Sequence, residues 1–307
     1  MVAEPRPAEQ EHVRSYARSS VDFRFDGART VRRRLLGSAA FALLTGLTSL
    51  ADGKTRADCE SQYTPERGQD GKDVVWVPTE DAMVVRMLEM AKVTSADKVY
   101  DLGAGDGRIA IAAGKLFGAT AIGVEYEPEL AKHAQCLVEA EGVQERVKVV
   151  QGDIFETDFS DATVVALYLL PELNMRLRPT LLEMKPGTRV VSYSFTMGDW
   201  DPDDQVDTDE GSGFLWVVPA NVAGTWTFQS TNGQESFAVT LDQAFQKLTG
   251  SAGGARVAGT LSGPTIDFTF VQGNAETRVT GIVDGNRISA TVTRDSASTE
   301  YLGVRQW

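Results

Sequence analysis

Three acids stand at regular intervals behind short apolar runs: Asp101, Glu125 and Asp153. The first opens Asp101-Leu-Gly-Ala-Gly-Asp-Gly107. Val99 and Tyr100 read as the end of a buried strand, and Gly103, Gly105 and Gly107 as a tight turn, with Ala104 inside it, leading into an apolar helix from Ile109 to Phe117. Glycine tolerates positive φ and has no Cβ, so a ligand can lie directly on such backbone. A strand, a glycine turn and a helix N-terminus form a nucleotide site at the carboxyl edge of a sheet.

The residues also say what kind of nucleotide. A dinucleotide fingerprint wants glycine or alanine three places after Gly105, and Arg108 stands there. A pyrophosphate would meet the carboxylates of Asp101 and Asp106. S-Adenosylmethionine has no phosphate and carries a sulfonium and an ammonium group, which acids suit. Glu125 closes the strand Ala119–Glu125, placed to accept from both ribose hydroxyls. Asp153 follows the strand Val147–Val150 and can accept from the adenine amino group, with Ile154 and Phe155 near the ring.

These side chains need a frame. Helices are expected at Ala82–Ala91, N-capped by Thr79, and at Pro128–Glu141; Met83, Met87 and Met90 fall at core spacing. Further strands are expected at Ala162–Leu167, Arg189–Ser194 and Phe214–Val218. Strands alternating with helices give an α/β doubly wound, Rossmann-like sheet over residues 74–221. The strand ending at Leu167 adjoins the first across the switch point, so its exit faces the methyl group of the donor. Tyr168, Leu169, Pro171 and Glu172 are therefore the candidates for the reaction wall: Tyr168 to meet a cation, Pro171 to desolvate it, Glu172 to hold an ammonium or take its proton. Residues 199–210 hold seven acids, read either as a solvated loop or as a lure for a cationic acceptor.

From residue 222 the pattern changes to short alternating strands separated by Asn232-Gly, Ser262-Gly, Gln272-Gly and Asp284-Gly-Asn. This predicts a small all-β C-terminal domain, barrel or sandwich, over 222–307. Gly224-Thr-Trp226 is faintly similar to the opening of lipocalin- or avidin-type barrels.

The N-terminal residues 1–57 comprise a patternless, disordered stretch to residue 29, then Arg32-Arg-Arg34 and an apolar core at 37–51. Basic flank, short apolar core and small residues near Ala51 or Ala57 match a secretion signal, and the paired arginines resemble a twin-arginine signal. The alternative is an uncleaved segment that contacts the membrane. The first reading places the protein outside the cytoplasm, away from where S-adenosylmethionine is made; a cytoplasmic enzyme is the other. Residues 58–73 read as linker. The formal charge of the chain is −13, and residues 59–221, with 14 basic and 29 acidic side chains, carry −15 by themselves, which argues against a nucleic acid substrate. Two cysteines and two histidines without CxxC or HExxH spacing argue against zinc, a thiol redox pair or a histidine triad. Cys136 reads as a buried core thiol.

Asp101–Gly107, Gly123-Val-Glu125 and Gly152-Asp-Ile154 together resemble the three cofactor motifs of class I S-adenosylmethionine-dependent methyltransferases. Trp76-Val-Pro-Thr79, Val99–Gly103 and Tyr168–Pro179 are similar to one branch, whose mitochondrial members methylate lysines of the ATP synthase c-subunit and the adenine nucleotide translocase. The resemblance covers residues 73–218 and implies Trp76 and Pro78 as further cofactor contacts and a protein lysine, in a membrane protein, as acceptor. A small-molecule acceptor is the alternative, with the β domain shaping its pocket; a catalytically silent binding protein is the third reading. The mitochondrial proteins also carry an N-terminal hydrophobic segment.

Overall fold

The computed structural model describes residues 53–209 and 211–306. The disorder and signal readings for residues 1–52 lie outside the described residues.

A seven-stranded sheet organises the first half. Its strands are β1 (Lys98–Leu102), β2 (Thr120–Glu125), β3 (Val147–Gln151), β4 (Val164–Leu167), β5 (Arg189–Tyr193), β6 (Asp204–Thr208) and β7 (Gly211–Val217). Their order is β3-β2-β1-β4-β5-β7-β6. The first five are parallel and the last two antiparallel. Apolar runs such as Val164–Leu167 are buried along their whole length, because helices cover both faces of a parallel sheet. Order reverses between β1 and β4, so the crevice at their carboxyl ends is the switch point.

Helices α2 (Asp81–Met90), α3 (Arg108–Phe117) and α4 (Pro128–Ala140) pack on one face, with Met83 and Met87 fully buried among them. Helix α5 (Pro171–Leu182) takes the other, burying its own Leu177 and Leu181 in one cluster with Trp200 and Trp216. Glu80, not Thr79, is the N-cap of α2; the Thr79 side chain is buried instead.

Two sequence expectations are corrected at the N-terminal side. The stretch read as linker begins in a helix, α1 (Arg56–Gln62), started by a capping box between Thr55 and Asp58. Cys136 is not a free core thiol: it is joined to Cys59 by a disulfide that pins α1 on α4. The 77-residue separation is why no local motif announced it.

Eight strands follow: β8 (Gly224–Ser230), β9 (Ser236–Ala244), β10 (Lys247–Ala252), β11 (Ala255–Ser262), β12 (Thr265–Gln272), β13 (Ala275–Asp284), β14 (Arg287–Arg294) and β15 (Ala297–Arg305). Each pairs antiparallel with the next and β15 closes on β8, giving an up-and-down barrel. Trp226, Phe228, Phe268, Phe270 and Tyr301 fill the interior. Gly263 lies against the sheet half; a Cβ there would stand 2.9 Å from the Gly187 Cα. The β9–β10 turn adds Phe245, stacked on Trp200 at 6.0 Å, and Gln246, whose Nε2 donates to the Asp201 carbonyl at 2.7 Å.

Candidate active site

The glycine turn is drawn onto β2 by its own backbone: Gly103 and Ala104 both donate to the Val124 carbonyl, at 2.9 and 3.0 Å. Gly105 has φ 58°, and its N–H donates to Glu125 Oε2 at 2.8 Å. A Cβ on Gly105 would come within 2.5 Å of Trp76 Nε1, so only glycine lets that indole lie against the turn. The other Glu125 oxygen accepts from the Glu127 N–H at 2.9 Å. Burial pushes the Glu125 carboxyl up, while these backbone donors pull it down.

Asp101 sits deeper, 2% exposed, accepting from the Ala110 N–H at 3.3 Å. Burial raises its pKa from 3.8 to about 7, with the charges of Asp106 and Glu125 adding to the effect. Asp106 lines the cavity too, with its carboxylate already paired. Arg108 folds back onto it, Nε at 3.0 Å from Oδ1 and Nη2 at 2.6 Å from Oδ2, and Nη1 donates to the Thr79 carbonyl at 2.7 Å. Asp106 is thus a paired carboxylate that ties the turn to the start of α2, and Arg108 is a site residue the sequence reading used only as a departure from a motif.

Asp153 accepts from the Phe155 N–H at 2.9 Å and from Lys72 Nζ at 2.6 Å. Lys72 holds its carboxyl below the usual range and lies 4.6 Å from the centre of the Tyr126 ring. Lys72 comes from the stretch read as linker, and nothing local in sequence pointed to it. Residues 68–76 form a narrow strap, with Gly68 N–H to the Trp76 carbonyl at 2.8 Å and Trp76 N–H to the Gln69 carbonyl at 2.9 Å. The strap roofs a cavity of about 280 Å³. Trp76, Pro78, Asp101, Gly103, Ala104, Gly105, Asp106, Glu125, Asp153, Ile154 and Tyr168 all line it, so nearly every residue singled out by sequence converges there. Pro171 and Glu172 do not. They are exposed in the first turn of α5, and Leu169, Leu170 and Leu173 face the cavity in their place.

The wall beyond Tyr168 is aromatic. Its ring lies 4.6 Å from that of Tyr193 and 6.3 Å from Phe195, the latter nearly parallel. Phe195 reaches the cavity through a γ-turn: its N–H donates to the Tyr193 carbonyl at 2.8 Å, and Ser194 between them has φ 64°. This conformation is strained for a residue with a Cβ, and strained backbone collects at functional sites. The acids of 199–210 are largely committed elsewhere: Asp199 pairs with Arg178, Asp201 with Lys247, and Asp203 Oδ2 accepts from Val217 N–H at 2.7 Å. Every lining residue lies between Gln69 and Phe195, so the barrel does not shape this pocket.

An adenosyl ligand needs carboxylate acceptors for ribose and adenine, a backbone it can lie against and a sheltering roof. Glu125 and Asp153 are carboxylates with acceptor capacity beyond the backbone N–H groups they already hold, and the turn offers its glycine backbone with only the short side chains of Ala104 and Asp106 at the cavity. These residues fit S-adenosylmethionine. A doubly wound sheet with this turn and these acids at its switch point defines a class I S-adenosylmethionine-dependent methyltransferase.

Known proteins agree with that assignment. Residues 101–204 match the ANTKMT methyltransferase domain. A protein-lysine N-methyltransferase of Saccharolobus islandicus is 47% identical over 141 residues, covering 45% of this chain and 88% of that protein. The chain belongs to this methyltransferase family. The human lysine N-methyltransferase of the ATP synthase c-subunit is 31% identical over 147 residues, 48% of this chain and 61% of the relative. A Salinibacter ruber structure described as an RNA methyltransferase with S-adenosyl-L-homocysteine is 48% identical, covering 48% of this chain and 96% of that one, with a TM-score of 0.47.

Proposed function

We propose that this methyltransferase modifies the ε-amino group of a protein lysine. The observation that carries the reading is the aromatic wall of Tyr168 and Phe195, backed by the buried ring of Tyr193, where β4 and β5 leave the sheet beside the donor cavity. The similarity to relatives named for lysine methylation supports it.

The bound donor supplies an electrophilic methyl group and its own leaving group. Glu125 and Asp153 hold the adenosyl part, and the glycine turn with Trp76 and Pro78 holds the remainder. The wall has two tasks. Ring faces stabilise an arriving ammonium, and desolvation by Leu169, Leu170 and Leu173 lowers the pKa of that amine so that it sheds its proton to solvent before attack. Alignment of amine and methyl then supplies most of the acceleration, up to roughly 7–11 kcal/mol. Glu172, read from sequence as the group that holds the ammonium or takes its proton, lies exposed in the first turn of α5, outside the cavity lining.

Export, with a membrane protein as acceptor, completes the proposal. The basic and apolar N-terminal sequence and the Cys59–Cys136 disulfide support an oxidising compartment. The experiment is incubation of the enzyme with tritiated donor and a membrane fraction, followed by acid hydrolysis. Label recovered as methyl-lysine is the expected result; label in RNA or only in small extractable products overturns the acceptor. Fusing residues 1–60 to an export reporter tests the location, and a reporter retained in the cytoplasm contradicts it.

A further inference from the structure

The strap over the donor cavity is held at its N-terminal end by α1, and α1 is held by very little. The helix has seven residues and buries only Cys59. A helix that short has no stability of its own in water. Its flanking ion pairs, Lys54 with Glu139 at 2.7 Å and Arg56 with Glu141 at 3.0 Å, are solvent-exposed. Such pairs contribute little. Tyr63 adds an edge-on contact to His133 of α4, 5.7 Å between ring centres. The strong attachment is the covalent bond from Cys59 to Cys136. Beyond Tyr63 the chain runs directly into the strap. There Lys72 reaches Asp153 and Trp76 lies on Gly105.

We infer that the Cys59–Cys136 disulfide is a redox control on donor binding. Oxidised, it anchors the roof of the cleft; reduced, it frees α1 and the strap, and affinity for the donor falls. The inference rests on the S-adenosylmethionine site described above. The reductant is a dithiol. One of its thiolates attacks a cystine sulfur to form a mixed disulfide, and its second thiol displaces the remaining cysteine. Two cysteine thiols and one oxidised dithiol result, with two electrons transferred. Cys59 is 1% and Cys136 8% exposed, so attack waits on local opening around the bond. The bond therefore persists once formed, and the compartment in which the chain folds sets the state of the site.

The test is calorimetric titration of S-adenosylhomocysteine into the full chain in two forms: oxidised, and reduced with dithiothreitol then alkylated. Binding at least tenfold weaker in the reduced form is expected, and Cys136→Ser should show the same weakening without reductant. Trypsin should cut after Arg67 and Lys72 in the reduced and variant chains and spare both sites in the oxidised one. Affinities equal within twofold, or a strap equally protected in both states, would overturn the inference. So would a reduced chain that has lost its near-ultraviolet circular dichroism, since the bond would then hold the fold rather than the roof. An oxidised chain that binds no S-adenosylhomocysteine contradicts the donor site instead, and the trypsin comparison still decides the role of the disulfide.

Discussion

The sheet half and the barrel half both close around apolar side chains, and the cavity described above is lined by the sheet half and its strap. In the barrel, Phe228 stacks on Phe237 at 5.2 Å and meets Phe268 at 6.1 Å. Glu235 accepts from Tyr301 Oη at 2.7 Å and from Arg294 at 2.6 Å beside these rings. Inward positions are mostly apolar and most turns carry glycine, although Phe245, Asp295 and Ser296 take left-handed backbone in turns without it and Val271 and Ile282 face outward. At the sheet's switch point local preference and global fold disagree. Asp101 is a buried acid, Ser194 has a left-handed backbone and the glycine turn trades side chains for space. Places where a chain works against its own folding preferences are where function is to be sought.

Single substitutions should separate the two halves, the costliest of them in the barrel. Phe268→Ala should open a cavity there and cost about 3–5 kcal/mol in urea unfolding, with donor affinity unchanged in the folded protein. A large loss of affinity would show that the barrel reaches the site after all. Asp101 gives an effect of opposite character. Its folded pKa of about 7 lies above the ordinary 3.8, so the folded state binds the proton more tightly than the unfolded one. Stability therefore falls as pH rises from about 4 to about 7 and stays reduced above that, by an upper bound on the order of 4 kcal/mol. Asp101→Asn should flatten this decline; identical urea midpoints against pH in variant and parent would remove Asp101 as its source.

Glu125→Ala should weaken S-adenosylhomocysteine by about 30- to 150-fold, the worth of charged hydrogen bonds of roughly 2–3 kcal/mol, while its melting profile still reports a folded barrel. Unchanged affinity would take Glu125 out of the site. The smallest effect belongs to the contact between the halves. Lys247→Ala removes a pair whose side chains are 64% and 60% exposed and should shift stability by less than about 1 kcal/mol. A larger loss would mean that the pair organises the interface.

Legibility followed the same division. The convergence of Asp101, Glu125 and Asp153 on one cavity was readable because each stands at or just after the end of an apolar strand, at a fixed station in chain order. The pairing of Asp106 with Arg108, two residues on, was not readable, because a side chain folding back is a choice that spacing does not encode. Lys72, Phe195 and the Cys59–Cys136 bond depend on contacts between distant segments and left no periodic trace. Among strands, the turns named from sequence do not delimit β10 and β15, whose inward places are partly taken by Gly250, Ala252 and Gly303, which blur alternation. At Gly303 a Cβ would meet the Phe228 ring at 2.7 Å. The edge strand β6 carries Val206 as its one apolar residue, and its acids mimic a loop while guarding the sheet edge.

The most direct test is a crystal structure with S-adenosylhomocysteine. It should show the ribose hydroxyls on Glu125, the adenine between Tyr126 and Ile154 with its amino group toward Asp153, and the sulfur facing Tyr168. A crevice that stays empty at saturating ligand, or a sulfur turned away from the Tyr168–Phe195 wall, would contradict the account.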